Sequence, residues 1–166
     1  MGAERELEGV EIVYDDGRNA IVRKDSVFVY VRRGAMSMES IELLTATWRS
    51  VRRTSTGEVG GLFVLEPSAP LAPPDVRARQ RELLREMIRD GRVRGVVVIE
   101  GEGVEATAKR SVARLLSIGW RNLQIVSDLG TGVKALAKAM GSDGMVVRAL
   151  AEEARARLDR APRSTR

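Results

Sequence analysis

Two glycine-containing segments occur where an anion could bind. Gly101–Gly103 follows the apolar run Val93–Ile99, and Gly130–Gly132 follows the shorter run Leu123–Val126 and Asp128. Each segment is predicted to connect the carboxyl end of a strand to the first turn of a helix, where backbone N–H groups and the helix dipole favour negative charge. Neither contains the Gly-Lys-Ser/Thr ending of a P-loop or the complete Gly-x-Gly-x-x-Gly fingerprint. The spacing indicates at most a general anion or ligand loop.

Acidic neighbours distinguish the two segments. Glu100, Glu102 and Glu105 surround the first segment and would repel a phosphate, so its glycines are interpreted as turn residues. The second segment is the better ligand candidate, and its predicted ligand residues are Asp128, Gly130, Thr131 and Gly132. The alternative is a tight turn in which Thr131 caps the following helix.

Residue types that the chain lacks narrow its chemistry further. It contains no cysteine and no histidine, which excludes thiol nucleophiles, disulfides, and metal sites built on thiolate or imidazole. Carboxylates remain available for acid–base or metal work, but their spacing matches no diagnostic motif (Asp15, Asp16, Glu100, Glu102 and Asp128). We therefore expect a chain without enzymatic activity, cofactor or metal. The alternative is a small-ligand or phosphate-binding domain that could be a carboxylate-dependent enzyme.

The elements that would position these residues begin with strands. Alternating apolar residues in Val10–Tyr14 are followed by the turn signal Asp15–Gly17, which is typical of a hairpin. Ile21 and Val22 indicate a second strand, and the β-branched and aromatic run Ser26–Arg32 predicts a third.

The period then changes to that of helices alternating with strands. Ser37 is predicted to cap a first helix whose apolar residues recur at spacings of three and four. The predicted elements that follow are strand Gly60–Glu66, helix Asp75–Asp90, strand Val93–Ile99, helix Val104–Ile118, strand Leu123–Val126, helix Val133–Met140 and helix Met145–Arg160. The buried side of the Val104–Ile118 helix is predicted to consist of Val104, Ala108, Val112, Leu115 and Leu116.

This order predicts an α/β fold. Its single mixed sheet has an N-terminal antiparallel hairpin region, then β-α alternation, then a C-terminal helical extension. Residues 1–141 are expected to form the α/β domain, and residues 142–166 a C-terminal helix with a basic tail. The final helix is expected to pack on the domain or against a second copy, so a homo-oligomer is possible.

A proline-rich connection between strand and helix is the predicted partner surface. Pro67–Pro74 cannot continue a strand because proline lacks the N–H, and loops at strand ends often carry recognition; the alternative is a rigid spacer. Trp48 lies on an apolar helix stripe and is expected in the core, whereas Trp120 is expected either to be exposed or to pack over the sheet edge. The candidate partner surface comprises Ser68, Leu71, Asp75 and Trp120.

Charge and hydropathy bear on compartment and partners. The net charge is +5, but only four of the 28 basic residues are lysines, and many arginines alternate with acids. This pattern indicates codon bias of a GC-rich genome more than a nucleic-acid footprint, so nucleic acid is not the expected partner. No segment resembles a signal peptide or a membrane span. A cytoplasmic location without membrane insertion is therefore expected.

The order of elements and apolar runs resembles the STAS domains, the anti-sigma-factor-antagonist fold, and their STAS/SEC14-like relatives in bacteria. The residues that carry the resemblance lie between about Ser26 and Met140, in the runs SVFVYVRRGAMSMESIELL, GGLFVLEPSA, VRGVVVIEGEG and LQIVSDLG. In that family an Asp-Ser-Ser/Thr-Gly motif is phosphorylated, and Ser68 is the residue that corresponds here; the Asp, the second hydroxyl and the Gly are absent. The resemblance implies a non-enzymatic regulatory module whose partner is another protein.

Overall fold

The computed structural model describes residues 8–142 and 144–160. The order of its strands and helices is the predicted one. The strands are β1 (Glu11–Asp15), β2 (Asn19–Lys24), β3 (Val27–Arg32), β4 (Val59–Leu65), β5 (Val93–Ile99) and β6 (Leu123–Val126). The helices are α1 (Met38–Thr54), α2 (Pro74–Asp90), α3 (Gly103–Leu116), α4 (Leu129–Met140) and α5 (Met145–Arg160).

The six strands form one mixed sheet in which each strand lies beside its neighbours in sequence, in the order β1-β2-β3-β4-β5-β6. The first three strands pair antiparallel, and β3 to β6 pair parallel. The predicted α/β class, with its antiparallel N-terminal region, β-α alternation and C-terminal helix, is confirmed. The carboxyl ends of the parallel strands lie at one edge of the sheet, where α/β proteins commonly bind ligands.

The first hairpin is closed by Asp16. Its carboxylate accepts hydrogen bonds from the backbone N–H groups of Arg18 (2.8 Å) and Asn19 (2.6 Å) and from the hydroxyl of Tyr14 (2.8 Å). Burial tends to raise the pKa of Asp16, but these hydrogen bonds outweigh it and hold the pKa below its ordinary value. The carboxylates of the Asp15–Gly17 segment thus stabilise a turn, as expected for short polar side chains.

One face of the sheet is covered by α4 and α5. Valines that alternate along β3 contact this layer (Val27, Val29 and Val31), together with Leu62, Val96 and Val98 from the next two strands. Helix α4 approaches the sheet so closely that a Cβ atom on Gly132 would lie 2.4 Å from Val98. Gly132 is therefore required for helix–sheet packing.

The opposite face is covered by α1, α2 and α3. It buries the aromatic residues of β3 and β4, with the Phe28 and Phe63 rings edge to face at 5.6 Å between centroids. Trp48 is buried here, as predicted. Trp120 also belongs to this core and lies over Gly95, where a Cβ atom would be 2.9 Å from the indole. The sheet is thus covered on both faces, which explains the nearly continuous apolar sequence of β5.

Helix ends follow the predicted signals in α1 and α2. Ser37 accepts a hydrogen bond from the Ser40 N–H, and the Ser40 side chain accepts one from the Ser37 N–H, which forms a capping box. Helix α2 begins at Pro74 and is terminated by Gly91 in the left-handed conformation.

Two details of the later helices were predicted wrongly. Val104, Ala108 and Leu115 of α3 are exposed, and the buried positions include Ala106 and Lys109. A buried lysine masks the true apolar side of this helix in the sequence. Helix α4 begins at Leu129, not at Val133, because Asp128 rather than Thr131 is its N-cap.

Helix α5 packs on β2 and β3, so its apolar stripe covers the core of its own chain (Val147, Leu150, Ala151, Ala154 and Leu158). Residues 161–166, where the basic tail was predicted, lie outside the described residues. Within residues 8–142 and 144–160, no helix is long and apolar enough to cross a membrane.

Candidate functional site

The predicted ligand loop lies in the first turn of α4. Asp128 accepts hydrogen bonds from the backbone N–H of Thr131 (2.8 Å) and from its hydroxyl (2.7 Å). These hydrogen bonds hold the pKa of Asp128 below its ordinary value. Gly130 and Gly132 are helical, and Gly132 faces the sheet. The groups predicted to receive an anion are thus occupied by helix capping and packing.

The other glycine segment has the turn geometry expected from the sequence. Gly101 and Gly103 both have positive φ angles, of 96° and 84°. The Arg110 side chain donates hydrogen bonds to the carbonyls of Ile99 (3.1 Å) and Gly101 (2.8 Å). This arginine fixes the end of β5 to α3.

The predicted partner surface divides into exposed and buried residues. Ser68 is exposed, and its hydroxyl donates a hydrogen bond to the Arg33 carbonyl (3.1 Å). Asp75 is exposed in the first turn of α2, and Leu71 is 45% exposed. Trp120 is only 7% exposed. Of the two alternatives for Trp120, packing against the sheet is the one observed, because Gly95 leaves room for the indole.

Ion pairs occupy the carboxylates that follow the parallel strands. Glu66 pairs with Arg33 at 2.6 Å, and Glu100 pairs with Arg155 of α5 at 2.6 Å. Arg33 also pairs with Asp159 at 2.8 Å. These contacts connect α5 to the sheet edge. Across the part of the chain that the structure describes, no cluster of three or more carboxylates could hold a metal ion.

A cavity of about 120 Å³ lies between the sheet and helices α1–α3. The strands contribute its floor (Tyr30, Arg32, Phe63, Leu65, Val97 and Leu123). Residues two apart on one strand share a face, which places Tyr30 and Arg32 side by side on β3. Apart from a few polar residues, the floor and walls are apolar.

The walls of the cavity come from three helices and the loop before α2. Ile41 and Leu44 belong to α1, and Leu83 and Met87 belong to α2. Helix α3 contributes Lys109, Val112, Ala113, Leu116 and the adjoining Ser117. The partly or fully exposed wall residues lie in the loop before α2, on α2 and at α3, and floor residues of β4, β5 and β6 beneath them are also partly exposed, so the cavity opens between these two helices.

Arg32 is the unusual member of this lining. It is 3% exposed, and its Nε and Nη2 atoms are buried without a hydrogen-bond partner. Among the described residues no carboxylate pairs with it. Burial lowers the pKa of this guanidinium, but an arginine stays protonated in proteins. An uncompensated positive charge therefore lines an apolar cavity, an arrangement that normally costs free energy.

Tyr30 presents a second unused polar group. It is 2% exposed, and its hydroxyl is buried without a hydrogen-bond partner. Burial raises the pKa of Tyr30 to about 12, against smaller lowering effects of the nearby Ser40 and of the Arg32 charge. The phenol remains protonated at neutral pH and is available to donate a hydrogen bond.

Lys109 is a second buried cation of the cavity lining, and its charge is compensated. The lysine is 4% exposed, but its Nζ atom donates a hydrogen bond to the Pro67 carbonyl (2.9 Å) and pairs with Glu105 at 2.7 Å. Its charge is balanced, and it connects α3 to the loop after β4. Arg77, the third cation of the lining, is partly exposed to solvent, so Arg32 is the buried cation that has no partner among the described residues.

Sequence reasoning missed this site. Arg32 ends an apolar strand and looks like the point where the chain returns to solvent, while its neighbours in the cavity are scattered from Tyr30 to Leu123. A signal was present in the alternation of β3, since Arg32 shares the face of Phe28 and Tyr30.

No protein-family model matches the chain, and a comparison with curated proteins finds no significant match.

Proposed function

We propose that the chain is a non-enzymatic regulatory binding module of STAS-like fold that takes a small ligand in the cavity between its sheet and helices α1–α3. The cavity itself is the observation that carries this proposal. Natural interiors are close-packed, and voids larger than a few water molecules are rare. A void of about 120 Å³ that opens between two helices favours a bound ligand over a packing defect.

The lining supports binding over catalysis. The side chains around the cavity include no carboxylate that could act as a general base. Its polar side chains are three cations, two hydroxyls and one amide (Arg32, Arg77, Lys109, Tyr30, Ser117 and Gln80). Most of these groups donate hydrogen bonds and can hold and orient a molecule, which is the property of a receptor site.

Filling the cavity tests the proposal. Toluene and hexanol, used as small apolar probes, are expected to raise the melting temperature of the wild type, because a ligand that binds only the folded state stabilises it. Ala113→Phe places a ring in the cavity from α3 and should abolish this shift. Differential scanning fluorimetry and saturation-transfer NMR measure the two effects.

The matched control is Ala108→Phe. Ala108 is exposed on the outer face of the same helix and does not line the cavity, so this variant should respond to the probes as the wild type does. If the wild type binds neither probe, or if Ala113→Phe binds them equally well, the cavity is not a binding site.

A protein partner is the second candidate, favoured by the exposure of Leu71. Leu71 is a large apolar residue that is 45% exposed in the loop before α2, and it also lines the cavity. A partner that contacts this loop would therefore sense an occupied cavity. This arrangement is how a binding module of this kind would regulate another protein.

Leu71→Arg tests that surface. In pull-downs from native cells, a specific partner should be enriched by the wild type and reduced at least about tenfold with the variant, because the arginine would bury an unpaired charge in an apolar contact. Arg85→Ala is the control with a small effect, because Arg85 is exposed on α2, outside both the predicted partner surface and the cavity lining. Equal enrichment by the wild type and Leu71→Arg would exclude this loop as the contact.

A further inference from the structure

The unbalanced charge of Arg32 carries an inference about which ligand the cavity takes. The two polar side chains on the floor of the cavity, Arg32 and Tyr30, have buried donor groups without a hydrogen-bond partner. The positive charge of Arg32 has no counter-ion among the described residues. The natural complement is an anion that brings acceptor oxygens and one negative charge. This inference rests on the proposed function, since it names the ligand of the same site.

The geometry of the free donors selects a carboxylate. Nε–H and one Nη2–H bond of a guanidinium point in the same direction and match the two oxygens of a carboxylate. Nε and Nη2 are the two Arg32 nitrogens that are both fully buried and without a partner. The Tyr30 hydroxyl, on the same face of the same strand, supplies a third donor. Charge-assisted hydrogen bonds of this kind are roughly twice as strong as neutral ones.

The size and polarity of the cavity limit the rest of the ligand. An empty protein cavity of about 150 Å³ accommodates benzene, so about 120 Å³ suits an apolar body of similar or slightly smaller size. A phosphate ester would bring a second charge. Of the two remaining cations of the lining, Lys109 is already paired with Glu105, and Arg77 is partly exposed to solvent. A nucleotide is too large and too polar for this lining.

We infer that the cavity binds a small monocarboxylate with an apolar body, whose carboxylate pairs with Arg32 and accepts a hydrogen bond from Tyr30. The apolar body occupies the space among Phe63, Leu83 and Leu116. Binding removes the uncompensated charge of the free protein, so the ligand is recognised by charge at the floor and by shape at the walls.

Matched acids and amides test this inference. Phenylacetate and hexanoate are compared with phenylacetamide and hexanamide, which have nearly the same shape but no charge, by isothermal titration calorimetry at pH 7. The wild type is expected to bind each acid at least about tenfold more tightly than its amide, the ratio expected for hydrogen bonds to a charged group.

Three variants locate the preference. Arg32→Met should bind the acid no more tightly than the amide, and Arg32→Lys, which keeps the charge but not the paired N–H groups, should retain only part of the preference. Tyr30→Phe should weaken acid binding several-fold while the preference for acid persists. Circular dichroism confirms that each variant is folded.

The possible outcomes separate this inference from the function on which it rests. Equal affinity of the wild type for acid and amide, or an acid preference that survives in Arg32→Met, overturns the carboxylate inference and leaves the apolar cavity as a ligand site. Binding of toluene without binding of either acid has the same meaning. If neither acids, amides nor apolar probes bind, both proposals are wrong.

Discussion

Arg32→Met is expected to raise the free energy of unfolding of the ligand-free protein by about 1–4 kcal/mol, the range seen when buried ion pairs are replaced by apolar residues of similar volume. Arg32 is 3% exposed, and its Nε and Nη2 atoms have no partner. Methionine retains most of the buried aliphatic volume and removes the uncompensated charge. Chemical denaturation in urea, followed by circular dichroism, measures the change.

Arg33→Met is the matched control, and the opposite sign is expected. Arg33 is the next residue, but it pairs with Glu66 at 2.6 Å and with Asp159 at 2.8 Å. Its removal leaves the largely buried Glu66 with weaker compensation, so the free energy of unfolding should fall by about 1–2 kcal/mol. If Arg32→Met were as destabilising as Arg33→Met, the Arg32 charge would have to be balanced in the free protein, and the case for an anionic ligand would fail.

Leu150→Ala is expected to lower the free energy of unfolding by about 2–5 kcal/mol, as for other large-to-small changes at fully buried leucines. Leu150 is 0% exposed and lies where α5 covers the valines of β2 and β3. This decrease is expected because α5 is part of the main core. Urea unfolding, with a single transition, measures the change in the free energy of unfolding.

Arg148→Ala, on the exposed side of the same helix, should change the free energy of unfolding by no more than about 0.5 kcal/mol. A loss below about 1 kcal/mol in Leu150→Ala would show that α5 is dispensable for the core. It would then favour the other sequence-based expectation, that the final helix packs against a second copy.

Local patterns predicted the framework of this protein because they depend on neighbouring residues. The nearly continuous apolar run of β5 indicated a strand covered on both faces, and Ser37 and Gly91 marked helix ends through their own backbone preferences. The face of α3 was missed because Lys109 is buried there, and its partner, the Pro67 carbonyl, is 42 residues away in sequence.

The cavity could not be predicted for a related reason. A cavity remains where side chains that are distant in sequence leave a space unfilled. A local sequence pattern does not describe such a space. Asp128 illustrates the same difficulty on a smaller scale. If Thr131 capped α4, the Gly130–Gly132 segment would lie mostly in a loop, but Asp128 is the cap, so the segment is helical. A shift of four residues in one boundary changed a ligand candidate into a packing position.

The position of α5 also has a consequence for synthesis of the chain on the ribosome. The strands pair with their sequence neighbours, so the sheet can assemble as it emerges, but one face of β2 and β3 is covered by α5, which is made after all six strands. Arg33 and Asp159, which form an ion pair, are 126 residues apart. At translation rates of about 5–20 residues per second, the nascent hairpin exposes its valines for about 6–25 s. During that interval the exposed apolar surface is prone to aggregation, which is the hazard that chaperones counter.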